Sequence, residues 1–238
     1  MGPSCRDLPV TEPLRLRIKC CGITRADDAL RAVALGADAI GLVFTRRSPR
    51  FIEPALAATI RAVLPPFVAA VALFMDDDPD WVREVAGVVQ PDLLQFHGVE
   101  TAEFCAAFDR RYLKAIAMAD DGKVAAAMAA HPRAAGFLLD GHATGAMGGQ
   151  GRSFDWTRIP PALGRPWLLA GGLGADNVAA AIRAARPFGV DVSSGIESAP
   201  GIKDAVRMAD FIAAVRGVEH EFAATAVPHL NLNPRRLA

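Results

Sequence analysis

A single closed α/β barrel, the (β/α)8 or TIM barrel, is the fold class the sequence predicts, and three observations predict it. Short apolar runs of strand length alternate with longer segments whose apolar residues recur at helical spacing, the pattern of strand-helix units around a parallel sheet. The 238 residues suit one large core, a size α/β barrels reach without splitting. No Gly-x-Gly-x-x-Gly follows the first strand, which weighs against an open dinucleotide-binding sheet.

The elements follow in order. The first strand, Leu16 to Cys21, ends on two thiols and gives way to Gly22; a helix follows over Arg25 to Leu35. Ala39 to Phe44 is an apolar second strand, with a helix at Pro54 to Leu64. Val68 to Phe74 is the third, followed by helical spacing from Asp80 to Val89. Leu93 to Phe96 and Leu113 to Ala117 are the fourth and fifth, with helices at Thr101 to Arg110 and Gly122 to Ala130. After the sixth strand, Gly136 to Asp140, a long Gly-rich loop leaves room only for a short helix near Asp155 to Ile159. Trp167 to Ala170 and Val190 to Ser193 complete the eight, with helices at Ala175 to Ala185 and Lys203 to Arg216. The barrel is expected over residues 14–217, after an extension at 1–13 and before a tail at 218–238 that lacks sustained periodicity and reads as mobile.

Composition narrows the function. An apolar fraction of 52% and a formal net charge of zero exclude a disordered chain and an electrostatic nucleic-acid binder, leaving a small molecule as the expected partner. Cys5, Cys20, Cys21 and Cys105 show no paired metal-ligand spacing, which fits a reduced cytosolic protein. His97, His131, His142, His220 and His229 form no metal-binding pattern, so no metal is expected. The N-terminus lacks the apolar core of a signal peptide, and no stretch reaches membrane-spanning length without charges. The expected location is the cytoplasm, without membrane contact.

Chemistry is expected where the strands end. Nearly all of them finish in polar or glycine-rich groups, and a barrel gathers these at one rim: Cys21-Gly-Ile-Thr24, Ser48-Pro49-Arg50, Met75-Asp76, Gln95-Phe-His97-Gly98, Asp140, Gly171-Gly172 and Asp191-Val-Ser193-Ser194-Gly195. Side chains alternate along a strand, so Lys19 and Cys21 share a face and Cys20 takes the other. Cys20 reads as an inert small hydrophobe. Cys21, last on its strand, can act as base or nucleophile if a cation such as Lys19 favours its thiolate; Lys19 itself could equally be a Schiff-base lysine or a structural cation. Asp140 closes an otherwise apolar strand, and a partly desolvated carboxyl can serve as general acid. Arg50, after a stiffening proline, can grip a carboxylate in bidentate fashion, though Arg46 and Arg47 lie nearby. Gly171-Gly172 and Ser193-Ser194-Gly195 offer backbone N–H groups to a phosphate after the last two strands. His97 alone reads as a satisfied rim histidine.

These residues resemble the phosphoribosylanthranilate isomerase family of tryptophan biosynthesis from about Arg17 to Gly217. The motifs that carry the resemblance are Lys19-Cys20-Cys21-Gly22-Ile23-Thr24, Gly41 to Arg50, Gln95-Phe-His97-Gly98-Val-Glu100, Leu139-Asp140, Gly148 to Trp156, Leu169 to Leu173 with Asn177-Val178, and Gly189 to Glu197. The resemblance implies a (β/α)8 fold and a cofactor-free Amadori rearrangement, with Asp140 as general acid and Cys21 as general base. It further implies that Arg50 holds the anthranilate carboxylate and that Gly171, Gly172, Ser194 and Gly195 hold the phosphate. Gln95, His97 and Asp191 join the substrate-binding set, and a monomer or a homodimer is expected. The chain departs from the family pattern at Cys20, Met75-Asp76, Phe96 and Gln150. Two enzyme rivals are a histidine-pathway or dual-substrate isomerase of the same fold, which carries an aspartate where this chain has Cys21, and a Schiff-base aldolase using Lys19 or Lys114. The rival from another class is a barrel that binds a phosphorylated ligand without catalysis.

Overall fold

The computed structural model describes residues 15–118, 124–141, 154–160 and 163–226. Eight parallel strands close into a barrel in sequence order: β1 (Arg17–Cys21), β2 (Ala39–Val43), β3 (Ala69–Phe74), β4 (Leu93–Phe96), β5 (Tyr112–Ala117), β6 (Gly136–Asp140), β7 (Trp167–Leu169) and β8 (Gly189–Val192). Closure is made by β8 on β1, with Ile18 opposite Val190 and Lys19 opposite Asp191. The expected barrel is therefore the observed one, with strand bounds within a residue of the expected ones.

Around it lie α1 (Ala26–Leu35), α2 (Pro54–Val63), α3 (Pro79–Val89), α4 (Ala102–Ala106), α5 (Val124–Ala129), α6 (Val178–Ala185) and α7 (Ala205–Ala226). Start signals explain several of them. Proline stands in the first turn of α2 and α3, where its missing N–H costs nothing, and the Asp78 and Thr101 side chains accept backbone N–H groups at the starts of α3 and α4. A short 3₁₀ turn, Trp156–Arg158, takes the place expected for the weakest helix. Between β8 and α7, a 3₁₀ turn at Ser194–Ile196 leads into a small antiparallel hairpin of β9 (Glu197–Ala199) and β10 (Ile202–Lys203), which the sequence reading did not anticipate.

Helix α6 starts at Val178 rather than Ala175, and α7 at Ala205 rather than Lys203, which lies in β10. Two further helix ends differ. Helix α4 stops at Ala106 rather than Arg110; the chain turns over residues 107–110, where Asp109 takes a left-handed φ of 49° that a continuing helix does not allow. The barrel's last helix does not end at 216; α7 runs through Gly217 to Ala226. Its apolar stripe continues past the glycine, since Met208, Phe211, Ile212, Val215 and Val218 are all buried and Phe222 packs on the same core with Arg186 3.9 Å above its ring. The domain boundary expected at 217 thus falls inside a helix; residues 1–14 and 227–238, and Gln150 with its glycine-rich loop, lie outside the described residues.

The core has two layers. Outward-facing strand residues such as Ile18, Cys20, Ile40, Leu94 and Phe137 join the inner faces of the helices in one large cluster. Inside the barrel, a small apolar cluster of Ala115, Leu138 and Ala170 sits among buried polar side chains, Lys19, Gln95 and Asp191. A polar interior is costly unless paired, and here it lies directly beneath the mouth.

Candidate active site

The strand ends surround a pocket at the C-terminal mouth of the barrel, where such folds keep their chemistry. Its walls bring together Cys21, Arg50, His97, Asp140, Gly171, Gly172, Asp191 and Ser194. Gln95 and Gly195 do not line it. Gln95 is fully buried one pleat below His97, with its amide nitrogen 3.3 Å from His97 Nδ1, so it supports the histidine rather than facing a ligand. A Cβ at Gly195 would overlap the Leu173 carbonyl oxygen, so this glycine lets the last two loops close on each other.

The two adjacent thiols separate as strand alternation requires. Cys20 faces the outer core, fully buried, and that burial pushes its thiol pKa up to about 12. Cys21 faces the pocket, opposite Gly41 on β2. A Cβ at Gly41 would lie 2.7 Å from Cys21 Sγ and 3.0 Å from Lys19 Nζ, so the bare glycine makes the space in which thiol and ammonium meet. Lys19 Nζ also donates to Asp191 Oδ1 at 2.7 Å, and the ammonium is 1% exposed. Burial alone would lower the Lys19 pKa, but Asp191 and Cys21 outweigh it and hold the lysine above its ordinary value. For Cys21 burial is the largest influence and raises the pKa; Lys19 opposes it, Asp191 reinforces it, and the net shift is upward. At rest Cys21 is a thiol beside a cation.

Asp140 ends β6, three strands from β1 around the shorter side of the barrel. It is nearly buried, and its Oδ2 lies 3.5 Å from His97 Nε2. Arg50 reaches the mouth across Gly22, which takes the left-handed φ of 73° and whose absent Cβ would lie 2.5 Å from Arg50 Cδ. The guanidinium binds Glu197 by Nε at 2.8 Å and Nη2 at 2.7 Å. On the far wall, Asn177 shapes the glycine loop: its side chain accepts from Gly174 N–H at 2.9 Å and donates to the Gly172 carbonyl at 2.8 Å. Ser193 Oγ is buried in the same wall without a hydrogen-bond partner among the described residues.

The proposed Schiff-base lysines fare differently from the proposed acid and base. Lys114 lies on the outer side of β5, away from the pocket, and its Nζ donates to the Phe96 and Gly98 carbonyls and to Glu100 at 3.3, 2.6 and 3.1 Å. Lys19 is held as an ammonium, whereas Schiff-base chemistry needs a neutral amine. The sequence reading assigned no role to Gly41, Asn177, Glu197 or Lys203. Only Gly41, Asn177 and Glu197 carried a sequence signal, their place in a recognised motif.

A family described as N-(5'-phosphoribosyl)anthranilate isomerase matches residues 18–214. Among curated relatives of that name, the Xanthomonas euvesicatoria protein is 50% identical over 208 residues, covering 85% of this chain and 94% of the relative. The Stenotrophomonas maltophilia protein is 52% identical over 204 residues, with the same coverage of 85% and 94%. Among solved structures, phosphoribosylanthranilate isomerase from Thermotoga maritima superposes with a TM-score of 0.78 at 38% identity, covering 85% of this chain and all of that one. A structure of such an enzyme in complex with reduced 1-(o-carboxyphenylamino)-1-deoxyribulose 5-phosphate superposes at 0.76, also at 38% identity and with coverage of 85% and 100%.

Proposed function

The chain belongs to the N-(5'-phosphoribosyl)anthranilate isomerase family, and we infer that it performs the Amadori rearrangement of tryptophan biosynthesis with Cys21 as general base and Asp140 as general acid. The reaction converts N-(5-phospho-β-D-ribosyl)anthranilate to 1-(2-carboxyphenylamino)-1-deoxy-D-ribulose 5-phosphate, an aldose-ketose isomerisation. The observation that carries the assignment of roles is that Cys21 and Asp140 face one pocket from different strands, between an arginine and two glycine-rich loops.

The chemistry divides between them. Asp140 gives a proton to the ribose ring oxygen; the bond from that oxygen to C1' breaks with its electron pair on oxygen, and the anilino nitrogen's lone pair forms the C1'=N bond of an iminium. Cys21, as the thiolate formed once its own proton has passed to solvent, then takes the C2' proton, the C–H electrons form C1'=C2', and the nitrogen recovers its lone pair. The resulting enolamine becomes the ketone by moving a proton from the 2'-hydroxyl to C1'. Product and substrate are isomers, and exchange with solvent returns a proton to Asp140 and removes the one Cys21 gained, so the chemistry calls for no cofactor. The iminium adds a second cation near Cys21, which favours its thiolate further, as Lys19 already does in part.

The substrate has an anion at each end, and anchoring both sets C1' and C2' between acid and base. Arg50 takes the anthranilate carboxylate; the backbone around Gly171, Gly172, Ser194 and Gly195, with the Ser193 hydroxyl, takes the phosphate. His97, braced by Gln95, orients Asp140, and Asp191 holds Lys19 toward Cys21. We place the enzyme in the cytoplasm, as a monomer or homodimer without nucleic-acid or membrane partners; among the described residues no helix is long and apolar enough to cross a membrane. The experiment is rescue of a tryptophan auxotroph lacking this one step, run beside a histidine auxotroph lacking the homologous isomerisation. Rescue of the first alone is expected; rescue of both would favour a dual-substrate enzyme, and rescue of neither would overturn the reading.

A further inference from the structure

Behind Arg50 lies a buried cluster that the reaction described above leaves without a task. Glu197 Oε1 accepts from Arg50 Nε at 2.8 Å, from Lys203 Nζ at 2.7 Å and from Gly201 N–H at 3.2 Å, while its Oε2 accepts from Arg50 Nη2 at 2.7 Å. Lys203 Nζ then donates to the carbonyl of Cys21 at 2.6 Å and of Ser193 at 3.2 Å. Both side chains belong to the β9-β10 hairpin, and both are about 5% exposed. The hairpin is itself fastened to the loop after β1 by Thr24 Oγ1, which donates to the Gly201 carbonyl at 2.5 Å, and to α1 by Lys203 N–H, which donates to Asp28 Oδ2 at 3.2 Å.

We propose that Glu197, held by Lys203, is a positioning residue for the isomerisation: it fixes the plane of the Arg50 guanidinium and so sets where the substrate carboxylate docks. One edge of a guanidinium is committed to Glu197 in bidentate fashion, which removes the freedom of a long side chain to meet its ligand in many poses. The same lysine that holds Glu197 holds the main chain of the base and of the phosphate loop, so one ammonium ties the carboxylate anchor to the other two parts of the site. The charges also suit the task. Two cations share this one carboxylate, so Glu197 alone does not cancel them, which favours a ligand that is itself a carboxylate. A merely structural ion pair would strengthen the fold without caring which substrate is bound.

This inference rests on the assignment of Arg50 to the substrate carboxylate, and the test separates the two. Steady-state kinetics and thermal unfolding are measured for Arg50→Ala, Glu197→Gln, Glu197→Asp and the double variant Arg50→Ala/Glu197→Gln. Glu197→Asp keeps the charge but draws the carboxylate back by one methylene, and it carries the test if the glutamine variant does not fold. Expected are an apparent KM raised about ten- to a hundredfold in either Glu197 variant with a smaller change in kcat, and a double variant no worse than Arg50→Ala alone. If Arg50→Ala raises KM while the Glu197 variants lower only the melting temperature, or if the two effects multiply, the positioning role is overturned and Arg50 keeps its own. An unchanged KM in Arg50→Ala overturns the carboxylate assignment and this inference with it.

Discussion

Lys19 Nζ stands 2.7 Å from Asp191 Oδ1 inside the barrel and faces the Cys21 sulfur over Gly41, so a buried ion pair holds a cation beside the proposed base. Lys19 lowers the thiol's pKa against a larger upward push from burial. Removing the ammonium therefore leaves the thiol harder to ionise. In Lys19→Met the rising alkaline limb of the kcat/KM profile should move to higher pH and turnover near neutrality should fall. Loss of one partner also strands the Asp191 charge, a change that costs about 3–5 kcal/mol in buried pairs. Adding Asp191→Asn should restore much of the melting temperature and, because Asp191 itself raises the thiol's pKa less than Lys19 lowers it, bring the limb only part of the way back. A limb that stays in place in both variants would detach Lys19 from the base.

The acid and base themselves give the simplest kinetics. Replacing Cys21 by serine puts a far weaker acid at the proton-abstracting position, and Asp140→Asn removes the proton that opens the ring. Each variant should lose at least a hundred- to ten-thousandfold in kcat, about the worth of a positioned general acid or base, with the fold kept as judged by circular dichroism. Full activity in Cys21→Ser would end its assignment as base.

How the sequence foretold this site, and where it stopped, follows from the range of the forces involved. Alternation along one strand is local, so the opposed fates of Cys20 and Cys21 could be read from their order alone. The polar strand ends could be gathered because a closed barrel brings all of them to one rim. What escaped reading was contact between distant segments. Lys203 meets the Cys21 carbonyl across 182 residues, and Glu197 meets Arg50 across 147. No periodicity announces either. The hairpin that carries them is two short strands after a 3₁₀ turn, too brief for a pattern to form. Helix α7 was missed beyond 216 for the opposite reason. Its stripe of Met208, Phe211, Val215, Val218 and Phe222 is periodic, but Gly217 interrupts it at an open position where a Cβ would meet nothing within 4 Å. Packing of the flanking residues overrides a glycine penalty of about 1 kcal/mol.

Gly41 should prove as sensitive as the residues it accommodates. The added methyl of Gly41→Ala would lie 2.7 Å from Cys21 Sγ, 3.0 Å from Cys21 Cα and 3.0 Å from Lys19 Nζ, and the crowding against the Cys21 main chain cannot be relieved by turning a side chain. The thiol must leave its place or β1 must shift. The expected outcome is a loss of kcat comparable with that of Cys21→Ser, accompanied by a lower melting temperature. Normal turnover in Gly41→Ala would mean that the thiol's position is not critical.

Cys20 supplies the complementary case, a thiol of the same chemistry that should leave catalysis alone. It is packed among apolar side chains on the outer face of β1, so Cys20→Val, a change of similar size and polarity, should leave kcat and KM unaltered. Its effect should appear instead in stability at high pH. The Cys20 pKa stands at about 12 in the folded chain, against an ordinary 9.0. As pH rises above 9 the unfolded chain releases this proton while the folded chain keeps it, so the folded state binds more protons and stability falls with rising pH. A single such group contributes about 1.4 kcal/mol per pH unit until its folded pKa is reached. The valine variant lacks that contribution. Urea unfolding from pH 8 to 11 should therefore give a shallower alkaline decline in Cys20→Val than in the wild type, though not a flat one, because Cys105 is also raised to about 12 by burial. Equal declines in the two proteins would show that Cys20 does not stay protonated in the folded state above pH 9.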